Sequence, residues 1–175
     1  KDEAQILHEF MGVLQKIKPD VLIGYNSYRF DLPFLIKRCE LHGIAHPFKI
    51  ADKPKRLTKA VVNGKPLEVI PIYYQAKDRQ VSVVDLYPLV VMHDNVCAQL
   101  ENHTLKAAAL GFGLRKTPRL ELPPAEIHRL WETYFNENVR EPLETILYYL
   151  EYDVQDTHLL AEFLLPQYWY QKILL

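Results

Sequence analysis

Val21-Leu22-Ile23-Gly24-Tyr25-Asn26 is followed, after Ser27-Tyr28-Arg29, by Phe30-Asp31-Leu32-Pro33-Phe34-Leu35. The first part is a short apolar run of the kind that forms a buried parallel strand. The second leads into a predicted helix over residues 33 to 42, with Pro33 in the first turn, where a missing N–H costs nothing. Asp31 therefore stands between the end of a strand and the start of a helix, where ligand sites of open α/β sheets gather. Position alone also makes it an ordinary N-cap before Pro33.

Upstream, residues 3 to 17 place Ile6, Leu7, Phe10, Val13, Leu14 and Ile17 on one helical face, and Lys18-Pro19-Asp20 ends that helix. Helix, strand, helix is an α/β pattern. Downstream, Val61-Val62-Asn63-Gly64-Lys65 carries Asn-Gly between β-formers, the strongest short hairpin signal. A second turn at Ala76-Lys77-Asp78-Arg79 separates Ile70-Pro71-Ile72-Tyr73-Tyr74 from Val81-Ser82-Val83-Val84-Asp85, which predicts three antiparallel strands in sequence. Helices are expected near 86 to 93, 104 to 111, 124 to 135 and 139 to 164, the second ended by Gly111 and Gly113 and the third opened by Pro123-Pro124. With no repeat, low-complexity tract or linker, residues 1–175 read as one domain.

The 175 residues carry a net charge of −1, with 49% hydrophobic and 25% charged side chains, so composition by itself advertises no nucleic-acid partner. Cys39 and Cys97 lie far apart and in no metal-ligand spacing, which excludes a disulfide framework or zinc motif and favours an intracellular, cytoplasmic protein. No apolar run approaches membrane-spanning length, so no membrane partner is expected. The closing stretch Tyr168-Trp169-Tyr170-Gln171-Lys172-Ile173-Leu174-Leu175 lacks a polar tail or helix-stop signal. Both ends accordingly read as cuts through something longer.

A second constellation lies in the last predicted helix, Leu147-Tyr148-Tyr149-Leu150-Glu151-Tyr152-Asp153-Val154-Gln155-Asp156-Thr157. Tyr149 and Asp153 stand at i, i+4, so a phenol and a carboxylate share one face. Tyr152 and Asp156 repeat the same spacing three residues on. Taken singly, the pair also reads as a core tyrosine beside a solvated helix acid.

Together the two constellations resemble the second and third exonuclease motifs of family B DNA polymerases, members of the four-carboxylate exonucleases with a ribonuclease H-like fold. The second motif is matched by Gly24, Tyr25, Asn26, Phe30, Asp31 and Pro33, and the third by Tyr149, Asp153 and Val154, with Thr157 and Leu160 at positions the family often fills with Thr and Leu. Val84-Asp85-Leu86-Tyr87-Pro88 looks like the family's Asp-Leu-Tyr-Pro strand end, where the aspartate is structural. His103-Thr104-Leu105-Lys106 and Leu110-Gly111-Phe112-Gly113 resemble the stretch that comes next in such domains. Val154 after Asp153, with Thr157 four residues beyond, favours Asp153 over Asp156 as the motif's carboxylate.

The resemblance implies a partial ribonuclease H-like exonuclease fold of α/β class, with an inserted antiparallel β-hairpin region and a helical C-terminal half. It implies 3′-5′ proofreading hydrolysis of single-stranded or frayed DNA, with a polymerase domain in cis and two Mg²⁺ or Mn²⁺ ions in the complete domain. Hard cations want oxygen ligands, which suits carboxylates rather than a Cys or His cage. By the same resemblance Asp31 and Asp153 are metal ligands and catalytic, Tyr149 orients the attacking water, and Asn26 and Phe30 bind the terminal nucleotide. The family's first motif, Asp-x-Glu, supplies two further carboxylates and occurs nowhere in these residues. The isolated chain is therefore expected to be inactive or very weak. A stand-alone nuclease and a degenerate binding or scaffold domain are the competing readings. Lys53, Lys55, Arg56 and Lys59, with Arg115, Lys116 and Arg119, read equally as phosphate contacts or as solvated surface.

Overall fold

The computed structural model describes residues 2–76, 79–117, 119 and 121–168. Their order is α1 (Glu3–Ile17), β1 (Val21–Gly24), α2 (Asp31–Leu41), β2 (Phe48–Ile50), β3 (Lys55–Val62), β4 (Lys65–Val69), β5 (Ile72–Gln75), β6 (Gln80–Asp85), α3 (Tyr87–Cys97), α4 (Leu105–Gly111), α5 (Pro124–Glu137) and α6 (Glu141–Tyr168). They form two compact units, one running to Ala98 and resuming at Leu164, the other spanning Gln99–Phe163.

In the first unit, Asp2 caps α1 by accepting the Gln5 N–H at 2.8 Å, and the helix ends where Lys18 turns left-handed at φ 51°. The Arg79 guanidinium donates to the Lys18 and Pro19 carbonyls at 3.0 and 3.1 Å and to Asp20 Oδ1 at 2.7 Å, satisfying groups that the helix end and the loop beyond it leave over. The inner face of α1 is Leu7, Met11 and Leu14, which join Ile36 and Cys39 of α2 and Phe48, Ile72, Tyr74, Val81 and Val83 of the strands in one apolar core. The apolar face expected from the sequence is thus split. Ile6, Phe10, Val13 and Ile17 stay exposed because the core lies beneath the Leu7–Met11–Leu14 line.

The four-stranded sheet runs β1-β6-β5-β2, with β1 parallel to β6 and the remaining pairs antiparallel. The parallel placement of β1 is as expected. Its full burial is not, since Ile23 is exposed and β1 is an outer strand among the described residues. Asn63 and Gly64 form the two-residue turn of the β3–β4 hairpin, both at positive φ (51° and 74°), as a type I′ connection requires. That hairpin forms a separate two-stranded sheet, and β5 pairs with β2, a strand the sequence did not announce. The three-in-a-row arrangement therefore gives way to one in which Phe48 packs edge-on to Tyr74 across the β2–β5 pair, at 5.6 Å between ring centroids. Of the second predicted turn, Lys77 and Asp78 lie outside the described residues, as does the closing segment from residue 169 onward.

In the second unit, Thr104 caps α4 by accepting the Ala107 N–H at 3.3 Å. Pro123 and Pro124 open α5, which ends at Asn138 in the left-handed region. A Cβ at Gly111 would lie 2.3 Å from Leu100 Cδ2, so a side chain there would oblige the end of Leu100 to shift. The mixed sheet with its helices has the α/β class and inserted hairpin that the sequence implied.

Candidate active site

Gly24 at the end of β1 stands opposite Asp85 at the end of β6. The Asp85 side chain is almost wholly buried, and its carboxylate accepts three backbone N–H groups: Asn26 at 2.7 Å, Tyr28 at 3.0 Å and Tyr87 at 3.0 Å. One side chain thus fixes both the loop after β1 and the start of α3. Burial pushes the Asp85 carboxyl above the usual carboxylate range. The three N–H donors oppose that push, and the charge of Asp31 adds to it.

The loop held in this way is tight. Asn26 adopts φ 55°, a conformation asparagine tolerates better than most residues, and its carbonyl accepts the N–H groups of Arg29 and Phe30. A Cβ at Gly24 would lie 2.7 Å from Ser27 Cβ, an atom fixed to the backbone, so this position demands glycine. Tyr28 sends its hydroxyl to the Val83 carbonyl, and burial pushes its phenol well above the ordinary range. The Tyr25 ring packs edge-on to Tyr87 at 6.0 Å.

This geometry carries the chain to Phe30 and Asp31. Phe30 occupies the cap position of α2 without a side-chain cap hydrogen bond, and Asp31 is the first helical residue. The N-cap reading of Asp31 therefore does not hold. Its side chain is exposed, and the Phe30 ring is 64% exposed beside it in sequence.

In the second unit α6 carries Tyr149, Tyr152, Asp153 and Asp156 on neighbouring turns. Asp156 is sealed at 0% exposure, with Oδ1 accepting from Arg115 Nε at 2.6 Å and Oδ2 lying 2.9 Å from Arg119 Nε. That second contact is a charge pair whose two atoms complete no well-angled hydrogen bond. Asp153 remains 32% exposed and accepts from Arg119 Nη2. The Arg119 and Lys106 cations each lie 5.1 Å from the centre of the Tyr149 ring. Thr157 returns its hydroxyl to the Asp153 carbonyl at 2.8 Å. Of the two Tyr-x-x-x-Asp registers, the first leaves its carboxylate within reach of solvent, while the second is occupied by two arginines. Arg115 and Arg119 are accordingly neither free phosphate contacts nor solvated surface. Spacing gave no sign of this, because both reach α6 from the loop after α4.

A family model described as "DNA polymerase family B, exonuclease domain" matches residues 1–107. The chain belongs to that family. The exonuclease-domain chain is similar to the DNA polymerase of Thermococcus hydrothermalis (30% identity over 94% of the chain and 8% of that protein) and to that of Archaeoglobus fulgidus (28% over 96% and 18%). Among solved structures it is similar to the family B DNA polymerase from Pyrobaculum calidifontis, with a TM-score of 0.60, 25% identity, and coverage of 94% of this chain and 19% of that one. It thus spans less than a fifth of each of these relatives. The partial exonuclease fold implied by the motifs is the fold found.

Asp31 in the first unit is an exposed carboxylate and Asp153 in the second a partly exposed one, the kind of oxygen donor that suits a hard divalent cation. Among the described residues no three His, Cys, Asp or Glu side chains converge on a metal position. No helix among the described residues is long and apolar enough to cross a membrane.

Proposed function

We propose that this exonuclease domain removes nucleotides from the 3′ end of single-stranded or frayed DNA, and that the remainder of a DNA polymerase acts with it in cis. The observation that carries the reading is on α6, where Asp153, on the face of Tyr149, stays partly exposed with Arg119 as its ion-pair partner, while Asp156 is sealed by both Arg115 and Arg119. Asp31 and Asp153 would hold Mg²⁺ or Mn²⁺. The chemistry such ions supply when bound is activation of water and neutralisation of charge on the phosphate and the departing 3′ oxygen.

The chain's own residues do the rest. Tyr149 orients the attacking water through its hydroxyl. Phe30, with its ring largely exposed, stacks on the terminal base, and Asn26 in the turn that Asp85 fixes lines the path of that nucleotide. The remaining carboxylates come from an Asp-x-Glu strand, which these residues do not contain. The outer edge of β1, unpaired among the described residues, offers that strand a place. Without it the domain is inactive or very weak.

The test is a Mg²⁺-dependent assay of the full-length protein on single-stranded DNA labelled at the 3′ or the 5′ end. Rapid release of the 3′ label as mononucleotide is expected, with a drop of roughly 10²–10³-fold in Asp153→Ala, the scale of losing one charge-stabilising group. Unchanged degradation in Asp153→Ala would sink the assignment.

A further inference from the structure

Arg119 touches both α6 residues proposed for chemistry, and a third residue holds it there. Its side chain is only 4% exposed. Nε lies 2.9 Å from Asp156 Oδ2, Nη2 donates to Asp153 Oδ1, and Nη1 donates to the Tyr149 carbonyl at 3.4 Å. The guanidinium carbon stands 5.1 Å from the centre of the Tyr149 ring. The two carboxylates differ in what they cost to release. Asp156, at 0% exposure, would keep only Arg115 against a buried charge if Arg119 left, with no water to replace it, whereas Asp153, 32% exposed, can exchange its partner against water. One end of the contact is an anchor and the other can let go.

We propose that Arg119 is the resident counter-charge of Asp153, keeping that carboxylate and the Tyr149 ring in position until a divalent cation takes the same oxygen. Arg119 then gives up Asp153 and stays on Asp156. This rests on the reading of Asp153 as a cation ligand. Two cations compete for one carboxylate, so Arg119 sets a threshold concentration below which the site stays closed by its own side chain. A merely structural role makes the opposite prediction, because loosening the site would weaken cation binding.

The experiment is a titration of the full-length protein with Mn²⁺, without nucleic acid, following free Mn²⁺ by electron paramagnetic resonance. Asp153→Ala serves as the reference that removes this site from the count. Arg119→Gln is expected to bind Mn²⁺ at the Asp153 site roughly two- to fivefold more tightly, the effect of removing one partly screened charge pair. Arg119→Lys, which keeps the charge, stays near the parent affinity. Should Arg119→Gln alone fail to fold, its combination with Asp156→Asn removes the Arg119–Asp156 charge pair while leaving the partly exposed Arg115 an amide oxygen to donate to, and is expected to show the same gain. Equal or weaker Mn²⁺ binding in the folded Gln variants overturns the proposal while leaving Asp153 as a ligand. If Asp153→Ala itself binds Mn²⁺ like the parent, the catalytic reading falls first and the role of Arg119 falls with it.

Discussion

Asp85 shows how much one side chain can organise. Its two oxygens accept N–H groups from Asn26, Tyr28 and Tyr87, joining a helix start to a loop as many as 59 residues away in sequence. Asp85→Ala leaves two part-buried donors in the loop and one at the start of α3 without an acceptor, so we expect a loss of about 1–3 kcal/mol in chemical denaturation. Asp85→Asn, which keeps an oxygen of the same shape, should lose less. Equal stability of all three proteins would show that water replaces the carboxylate freely. The sequence alone supplied the identity of this residue through its Asp-Leu-Tyr-Pro context, yet could not supply its partners, which are backbone groups with no signature of their own. Arg119 is a second case, since its contact with Asp153 spans 34 residues of chain. A pattern of spacing cannot register a contact made from a loop.

At the level of elements, helices were read closely because their signals are local: Asp2, Thr104 and the prolines at 123 and 124 mark starts, and Lys18 and Gly111 mark ends. The Asn63-Gly64 turn was equally legible. The partner of β5 was not, because a strand of three residues, Phe48–Ile50, carries too little alternation to read. The α1–α2 packing adds a testable electrostatic link. Arg38, donating through Nε and Nη2, and then His42 at 2.9 Å, hold the Glu3 carboxyl far below its ordinary 4.5, at about 2. A carboxyl depressed in the folded state stabilises fully above its ordinary value, and that contribution is lost as pH falls from about 4.5 toward 2. Protection of α1 amides against hydrogen exchange, corrected for intrinsic rates, should therefore decline over that window and decline less in Glu3→Gln. An identical profile in the variant would remove Glu3 as the cause.

At the scale of the whole molecule, the family was legible because its two motifs sit near opposite ends of the chain, one in each compact unit. The functional domain proposed takes in both units, and its central claim is that Asp31 and Asp153 serve a single reaction. The most direct measurement is single-turnover cleavage of 3′-labelled single-stranded DNA by the full-length protein, comparing Asp31→Ala, Asp153→Ala and the double variant. Residues that act as one unit are strongly non-additive. The account predicts that each single variant falls to nearly the same low rate and that the double variant is no slower. Losses that multiply in the double variant, or a single variant that keeps the parent rate, would contradict it.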